Sequence, residues 1–131
     1  MPAATLSLPP DRAHARTARL VVVAAARRAG LAETDVDDIR LAVGEAVARA
    51  VLRHEAAELS DPVVVTISDD GHSFRVTVAD QSAAASSPQP EVDQGGFALA
   101  LMSALAPQVA ETLTTTGSAL ALTWPLPTNP S

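Results

Sequence analysis

Residues 38–47 read Asp38-Ile39-Arg40-Leu41-Ala42-Val43-Gly44-Glu45-Ala46-Val47. With Val36 before them and Ala50 or Val51 after them, the apolar positions Val36, Ile39, Val43 and Val47 recur every three to four residues, which predicts an amphipathic helix running to about Ala57. Thr34 stands where a cap is expected. Asp37 three residues on approximates a capping box, and Asp35, Asp37 and Asp38 suit the positive end of the helix dipole. Ser60, Asp61 and Pro62 break the pattern.

Outward from this helix the chain divides into short elements. Thr5 to Leu8 reads as a first strand ended by Pro9 and Pro10, and Asp11 as the N-cap of a helix from Arg12 to Ala29 that stops at Gly30. In that helix Ala13, Thr17, Leu20 or Val21, Ala24 and Arg28 are expected to form the packed stripe, leaving Arg12, Arg16, Arg19 and Arg27 for the edges and outer face. Val63 to Ser68 and Ser73 to Ala79 are β-rich runs joined by Asp69-Asp70-Gly71, a hairpin signal. Gln81 to Gln94 turns to Ala, Ser, Pro and Gln and reads as a mobile loop. Gly95 and Gly96 open an apolar helix from Phe97 to Leu105, and strands over Val109 to Thr115 and Ser118 to Trp124 come next. The Pro-rich end from Pro125 is a tail, with residues 127–131 outside the domain. The order β, α, α, β, β, loop, α, β, β predicts an α+β fold, a mostly antiparallel sheet with helices on one face.

The chain has 131 residues, 47% of them apolar and 18% charged, which suits one globular domain. The net charge of −6 is unevenly spread. Residues 1–30 hold five arginines and one acid, whereas the rest hold four arginines and fourteen acids. A general affinity for nucleic acid or anionic lipid is therefore not expected, while one basic helix on an acidic body suits an acidic partner. All nine cations are arginine, so a Walker lysine, a Schiff base and a catalytic lysine are excluded. Cysteine is absent, and His14, His54 and His72 show no paired ligand spacing, so no metal site is expected from side chains of those kinds. The longest apolar run, Leu20 to Ala26, is far below the roughly 20 residues of a membrane span, and a cytoplasmic location is expected.

Four phrases in this order resemble the histidine-kinase and Hsp90-like ATPases, specifically their anti-sigma-factor serine kinase branch: residues 38–47 on the second helix, the strand ending Val78-Ala79-Asp80, the run Gly95-Gly96-Phe97-Ala98-Leu99-Ala100-Leu101 opening a helix, and Leu122-Thr123-Trp124-Pro125-Leu126 at the end. The resemblance covers roughly residues 5 to 126 and implies the two-layer α/β sandwich of that family, with residues 1–126 as the domain and 81–94 as its lid. In the family the second helix carries a glutamate acting as general base toward a serine hydroxyl and, four residues later, an asparagine that holds Mg²⁺ against ATP. Glu45 matches the glutamate, but position 49 is arginine. A guanidinium has no lone pair for a metal and repels one. The family's adenine motif is an aspartate, any residue and a glycine. Asp80 is present, and Ser82 replaces the glycine. In the phosphate loop Gly95 and Gly96 remain, while Ala98 stands where a further glycine is typical.

The resemblance thus assigns Glu45 as the catalytic residue and Arg49, Asp80, Gly95, Gly96 and Leu99 to an ATP site whose Mg²⁺ is not expected to bind. Other readings of the same residues stay open. Glu45 and Arg49 could form an ordinary i,i+4 ion pair worth about 0.3–0.5 kcal/mol on a solvated face, or Arg49 could meet a phosphate directly. Asp80 could simply form a strand-end turn, Gly95 and Gly96 a flexible helix entry, and His54 a solvated histidine near the helix end. Trp124 is expected to pack the last strand against the helices.

On the first helix the resemblance makes Arg16 the arginine that contacts both the sigma factor and the anti-sigma antagonist, with Arg12 and Arg19 beside it. Family members often form homodimers, although no residue here marks that interface. The expectation is a degenerate member of the family, a regulatory protein that binds a sigma factor or an anti-sigma factor antagonist. The alternatives are an active serine kinase and a small-molecule sensor that reuses the nucleotide cleft.

Overall fold

The computed structural model describes residues 3–82, 97–113 and 115–127. Five strands and three helices succeed one another as β1 (Ala3–Leu8), α1 (His14–Arg28), α2 (Glu33–Ala56), β2 (Val63–Asp69), β3 (Ser73–Asp80), α3 (Phe97–Leu105), β4 (Gln108–Leu113) and β5 (Ser118–Pro125). The strands form one sheet in the order β1-β2-β3-β5-β4, and each neighbouring pair is antiparallel. Alternation along the strands sends Val63, Val65, Ile67, Phe74, Val76, Val78, Leu120, Leu122 and Trp124 to the helix-covered face, where all are buried. Trp124 lies opposite Phe74 in the β3–β5 register, so the expected packing role holds. The expected α+β sandwich is the fold.

The central helix is α2, whose long stripe of Val36, Ile39, Val43, Val47 and Val51 is fully buried, as its periodicity requires. It begins one residue before the expected Thr34 cap. Ala32 occupies the cap position with no side-chain bond, and Arg27 of α1 clamps Glu33 through Nε–Oε2 at 3.1 Å and Nη2–Oε1 at 2.9 Å. That pairing draws the Arg27 guanidinium above its ordinary value and the Glu33 carboxyl below its own.

The stripe expected on α1 is not the one that packs. Ala15, Ala18, Val22, Val23 and Ala26 are buried, whereas Leu20 is 62% exposed and Val21 lies at the surface. Small side chains allow α1 to lie close on α2, and alanines carry too weak a hydropathic signal to outvote Leu20 in a periodicity count. The start of α1 also differs. Asp11 Oδ1 accepts from the Ala13 amide at 2.9 Å, capping a turn ahead of the helix proper.

Both helices end by letting one residue take a left-handed conformation. Gly30 has φ +93° and Leu31 N–H returns to the Ala26 carbonyl at 3.2 Å. At the end of α2 the left-handed position is Glu58, φ 54°, with Leu59 N–H bonded to the His54 carbonyl at 2.8 Å. A side chain is disfavoured there. Glu58→Gly is therefore expected to stabilise the protein by about 0.5–1 kcal/mol, read from the urea midpoint at unchanged slope.

The β2–β3 turn matches expectation, with β2 and β3 each extending one residue further than their apolar runs. Gly71 adopts φ +86° and Asp70 Oδ1 accepts from the amides of His72 and Ser73 at 2.8 and 2.7 Å. These two bonds hold the Asp70 carboxyl below the ordinary aspartate value of 3.8. A carboxyl depressed on folding stabilises the fold fully above its unfolded value and loses that contribution as pH falls through the folded one. Asp70→Asn should therefore flatten part of the stability loss below about pH 4 in a urea titration series, while leaving the curve near neutral pH unchanged in shape.

Candidate functional site

Glu45, Arg49 and Arg53 are spaced four residues apart on α2 and share one face of it. The face turns toward the ends of β3, β4 and β5, and the two arginines reach across to them. Arg49 Nη1 meets Glu111 Oε2 on β4 at 2.8 Å, with the side chains 8% and 19% exposed. Glu111 lies opposite buried Leu120 in the β4–β5 register, and this is why its carboxylate points under the helices. The expected Glu45–Arg49 pair on a solvated face is not formed. Glu45 is half-buried and has no ion pair among the described residues.

One turn further on, Arg53 Nε lies 3.2 Å from Asp80 Oδ2, with side chains 11% and 4% exposed. Asp80 is the last residue of β3 and has both oxygens engaged. Oδ1 accepts from the Ser82 amide at 3.0 Å, the turn-forming bond, and Oδ2 accepts from the Ser118 hydroxyl at 2.8 Å. Ser118 is Asp80's register partner on β5, so the sheet itself fixes that contact. Gly117 closes the cluster from outside. A Cβ there would collide with the Asp80 carbonyl oxygen and would lie 3.0 Å from Gln81 Cα.

His54 departs most from expectation. It is not a solvated helix-end histidine; its ring is fully buried. Nδ1 lies 2.9 Å from the Asp61 carbonyl oxygen, and the Gln81 amide donates to Nε2 at 2.8 Å. Gln81 and Ser82, expected as the start of a mobile loop, are instead tied down by these bonds and by that of Asp80. Residues 83–94, Gly95, Gly96 and the tail beyond Pro127 lie outside the described residues. Leu99 on α3 is half-buried against the core.

Arg16 and Arg19 lie on α1, whereas Arg12, expected on the same helix, sits in the turn just before it. Arg12 approaches Glu55 at 3.9 Å in an open pair with side chains 70% and 51% exposed, Arg16 is exposed, and Arg19 is half-buried. The Arg19 side chain crosses α2 at Gly44, where a Cβ would meet its Cδ at 2.9 Å. Leu20 and Leu41 stand exposed on the same pair of helices, at 62% and 60%. A cavity of 400 Å³ opens at the opposite end of the sheet from Asp80, lined by Arg28, Ile67, Asp69 and Phe74 among others.

Sequence reasoning did not find Arg53, Glu111, Gly117 or Ser118. Glu111 carried a usable signal, being the only acid after Asp93, set in a strand of otherwise uncharged residues. Arg53 is the i+4 repeat of Arg49.

The profile of the histidine kinase-like ATPase domain matches residues 8–124. Among solved structures, the RsbU and RsbW domains of Rv1364c from Mycobacterium tuberculosis superpose with a TM-score of 0.75 at 25% sequence identity, covering 96% of this chain and 33% of that one. The chain thus spans about a third of the length of that protein. No curated protein matches the sequence. Among the described residues no helix is long and apolar enough to cross a membrane, and no group of three or more His, Cys, Asp or Glu side chains could hold a metal ion.

Proposed function

We propose that this chain, which belongs to the histidine kinase-like ATPase domain family, acts as an anti-sigma-factor-like regulatory binding protein, a pseudo-kinase controlled by competition between a sigma factor and an anti-sigma antagonist. The observation that carries this reading is Arg49, buried against Glu111 where a metal-holding member has an oxygen ligand. A guanidinium supplies no lone pair, and its charge opposes a divalent cation. The neighbouring Arg53 already lies on the Asp80 carboxylate, the group that would read an adenine amino group. These side chains do not fit a magnesium-held nucleotide, which leaves phosphoryl transfer without a metal clamp. The superposition on the RsbU and RsbW domains of Rv1364c supports reading the chain as a regulatory domain of that kind.

Arg16 and Arg19 of α1, with Arg12 just ahead of the helix, support docking as the mode of action. Gly44 costs α2 about 1 kcal/mol relative to alanine, and its missing Cβ makes room for the Arg19 side chain on a pair of helices that also expose Leu20 and Leu41. An arginine laid across a glycine, with exposed leucines on the same two helices, suits bidentate capture of a carboxylate at a protein interface. The test is affinity capture of endogenous sigma factors and antagonists by the wild-type chain, followed by calorimetry on the partner found. Arg16→Glu and Arg19→Glu should each weaken binding at least tenfold with the thermal midpoint preserved. Unchanged affinity in both variants contradicts the docking surface.

Glu45, without an ion pair among the described residues, favours one second reading, an active serine kinase with Glu45 as base. Transfer of label from γ-labelled ATP to the captured antagonist, abolished by Glu45→Gln, would establish it in place of the pseudo-kinase.

A further inference from the structure

We propose that His54 is a positioning residue that clasps the Asp80–Ser82 turn only while its imidazole is neutral, so that acidification releases the turn. The chemistry of each hydrogen-bond partner fixes the tautomer. A backbone N–H only donates, so Nε2, facing the Gln81 amide at 2.8 Å, must present a lone pair. A carbonyl oxygen only accepts, so Nδ1, facing the Asp61 carbonyl at 2.9 Å, carries the proton. The ring thereby bridges the loop after α2 to the exit of β3, and it is fully buried, so water cannot replace either bond.

A second proton has one place to go, Nε2, where it points straight at the Gln81 N–H. The bond is lost and two donors face each other in a dry setting. Among the described residues, the charged groups carried by the elements around the ring are Arg49, Arg53 and Glu55 on α2, Glu58 and Asp61 in the loop after it, Asp80 on β3 and Glu111 on β4. Asp80 and Glu111 already take Arg53 and Arg49, and Glu55 and Glu58 are exposed. At Asp61 the ring meets the backbone carbonyl oxygen, a neutral acceptor. The site is therefore built for the neutral ring. Since the closed turn requires that form, closure is complete while the ring is neutral and is lost when it takes up a second proton. The bonds of Asp80 to Ser82 and Ser118 do not involve the ring, so the release is centred on the Gln81 amide.

Nitrogen-15 NMR on the full chain tests this. At about pH 8 the two-bond ring correlations of His54 should show the Nδ1–H tautomer, and on acidification until those correlations report a charged ring the protection of the Gln81 amide, corrected for intrinsic exchange, should fall about five-fold or more. His54→Gln offers an amide oxygen as acceptor that takes no proton, so Gln81 protection should persist and become independent of pH. In His54→Phe it should be low at both pH values. A Nε2–H tautomer, Gln81 protection that stays flat while the wild-type ring charges, or the same pH dependence in His54→Gln would each overturn the proposal. If His54→Phe does not fold, the tautomer and the His54→Gln profile decide.

Discussion

Asp80→Ala is expected to lower the unfolding free energy by about 3–5 kcal/mol, measured by urea denaturation at neutral pH. Three interactions go at once. Arg53 loses its carboxylate while remaining under the helices, the Ser118 hydroxyl loses its acceptor, and the Ser82 amide loses the bond that shapes the turn. Removing one partner of a buried pair costs far more than the pair contributes, because the remaining charge stays desolvated. Asp80→Asn should cost less, since its carbonyl can still accept one of these bonds, but it leaves Arg53 uncompensated. A double variant, Asp80→Asn with Arg53→Met, should recover part of the loss, because no charge is then left buried. Equal stability of Asp80→Ala and wild type would mean that Arg53 swings out to water, and that the cluster is a surface feature.

The second large effect is Gly117→Ala. Its Cβ would strike the Asp80 carbonyl oxygen, and the atoms around it are backbone, at Asp80 C and Gln81 Cα, both 3.0 Å away. Side chains can rotate out of a collision, whereas a strand end held by the β3–β5 register cannot. A loss of about 3 kcal/mol or more is expected, at the upper end of overpacking costs. The contrasting case is Gly44→Ala, where the obstacle is the flexible end of Arg19 and helix propensity gains, so the same substitution there should be close to neutral or stabilising. Finding the two substitutions equal in effect would refute the close approach at Gly117.

Most of the fold was legible because two periodicities carry it. The long α2 stripe and the alternating β2–β3 hairpin with its Asp-Asp-Gly turn both rest on large branched side chains whose burial dominates the local choice. The α1 face misled because alanines pack as well as leucine but register weakly, so Leu20 and Val21 drew the predicted stripe to the wrong side. The site was legible only residue by residue. Glu45, Arg49 and Asp80 could be named from their phrases, but which carboxylate Arg49 would meet depends on the β4 register. A contact across 62 residues of sequence leaves no local trace. His54 illustrates the same limit. Its helix position predicts exposure near a terminus, and only the fold reveals that the β3 exit covers it.

The proposed pseudo-kinase depends on Arg49 occupying the place of a metal ligand. Calorimetric titration of the chain with ATP, with and without Mg²⁺ at matched ionic strength, addresses that directly. Mg²⁺ is predicted to bring no gain in affinity, with any nucleotide binding weak and unchanged or weakened by the metal. A tenfold or greater strengthening by Mg²⁺, lost in Glu45→Gln, would contradict the pseudo-kinase and restore the chain to the active kinases.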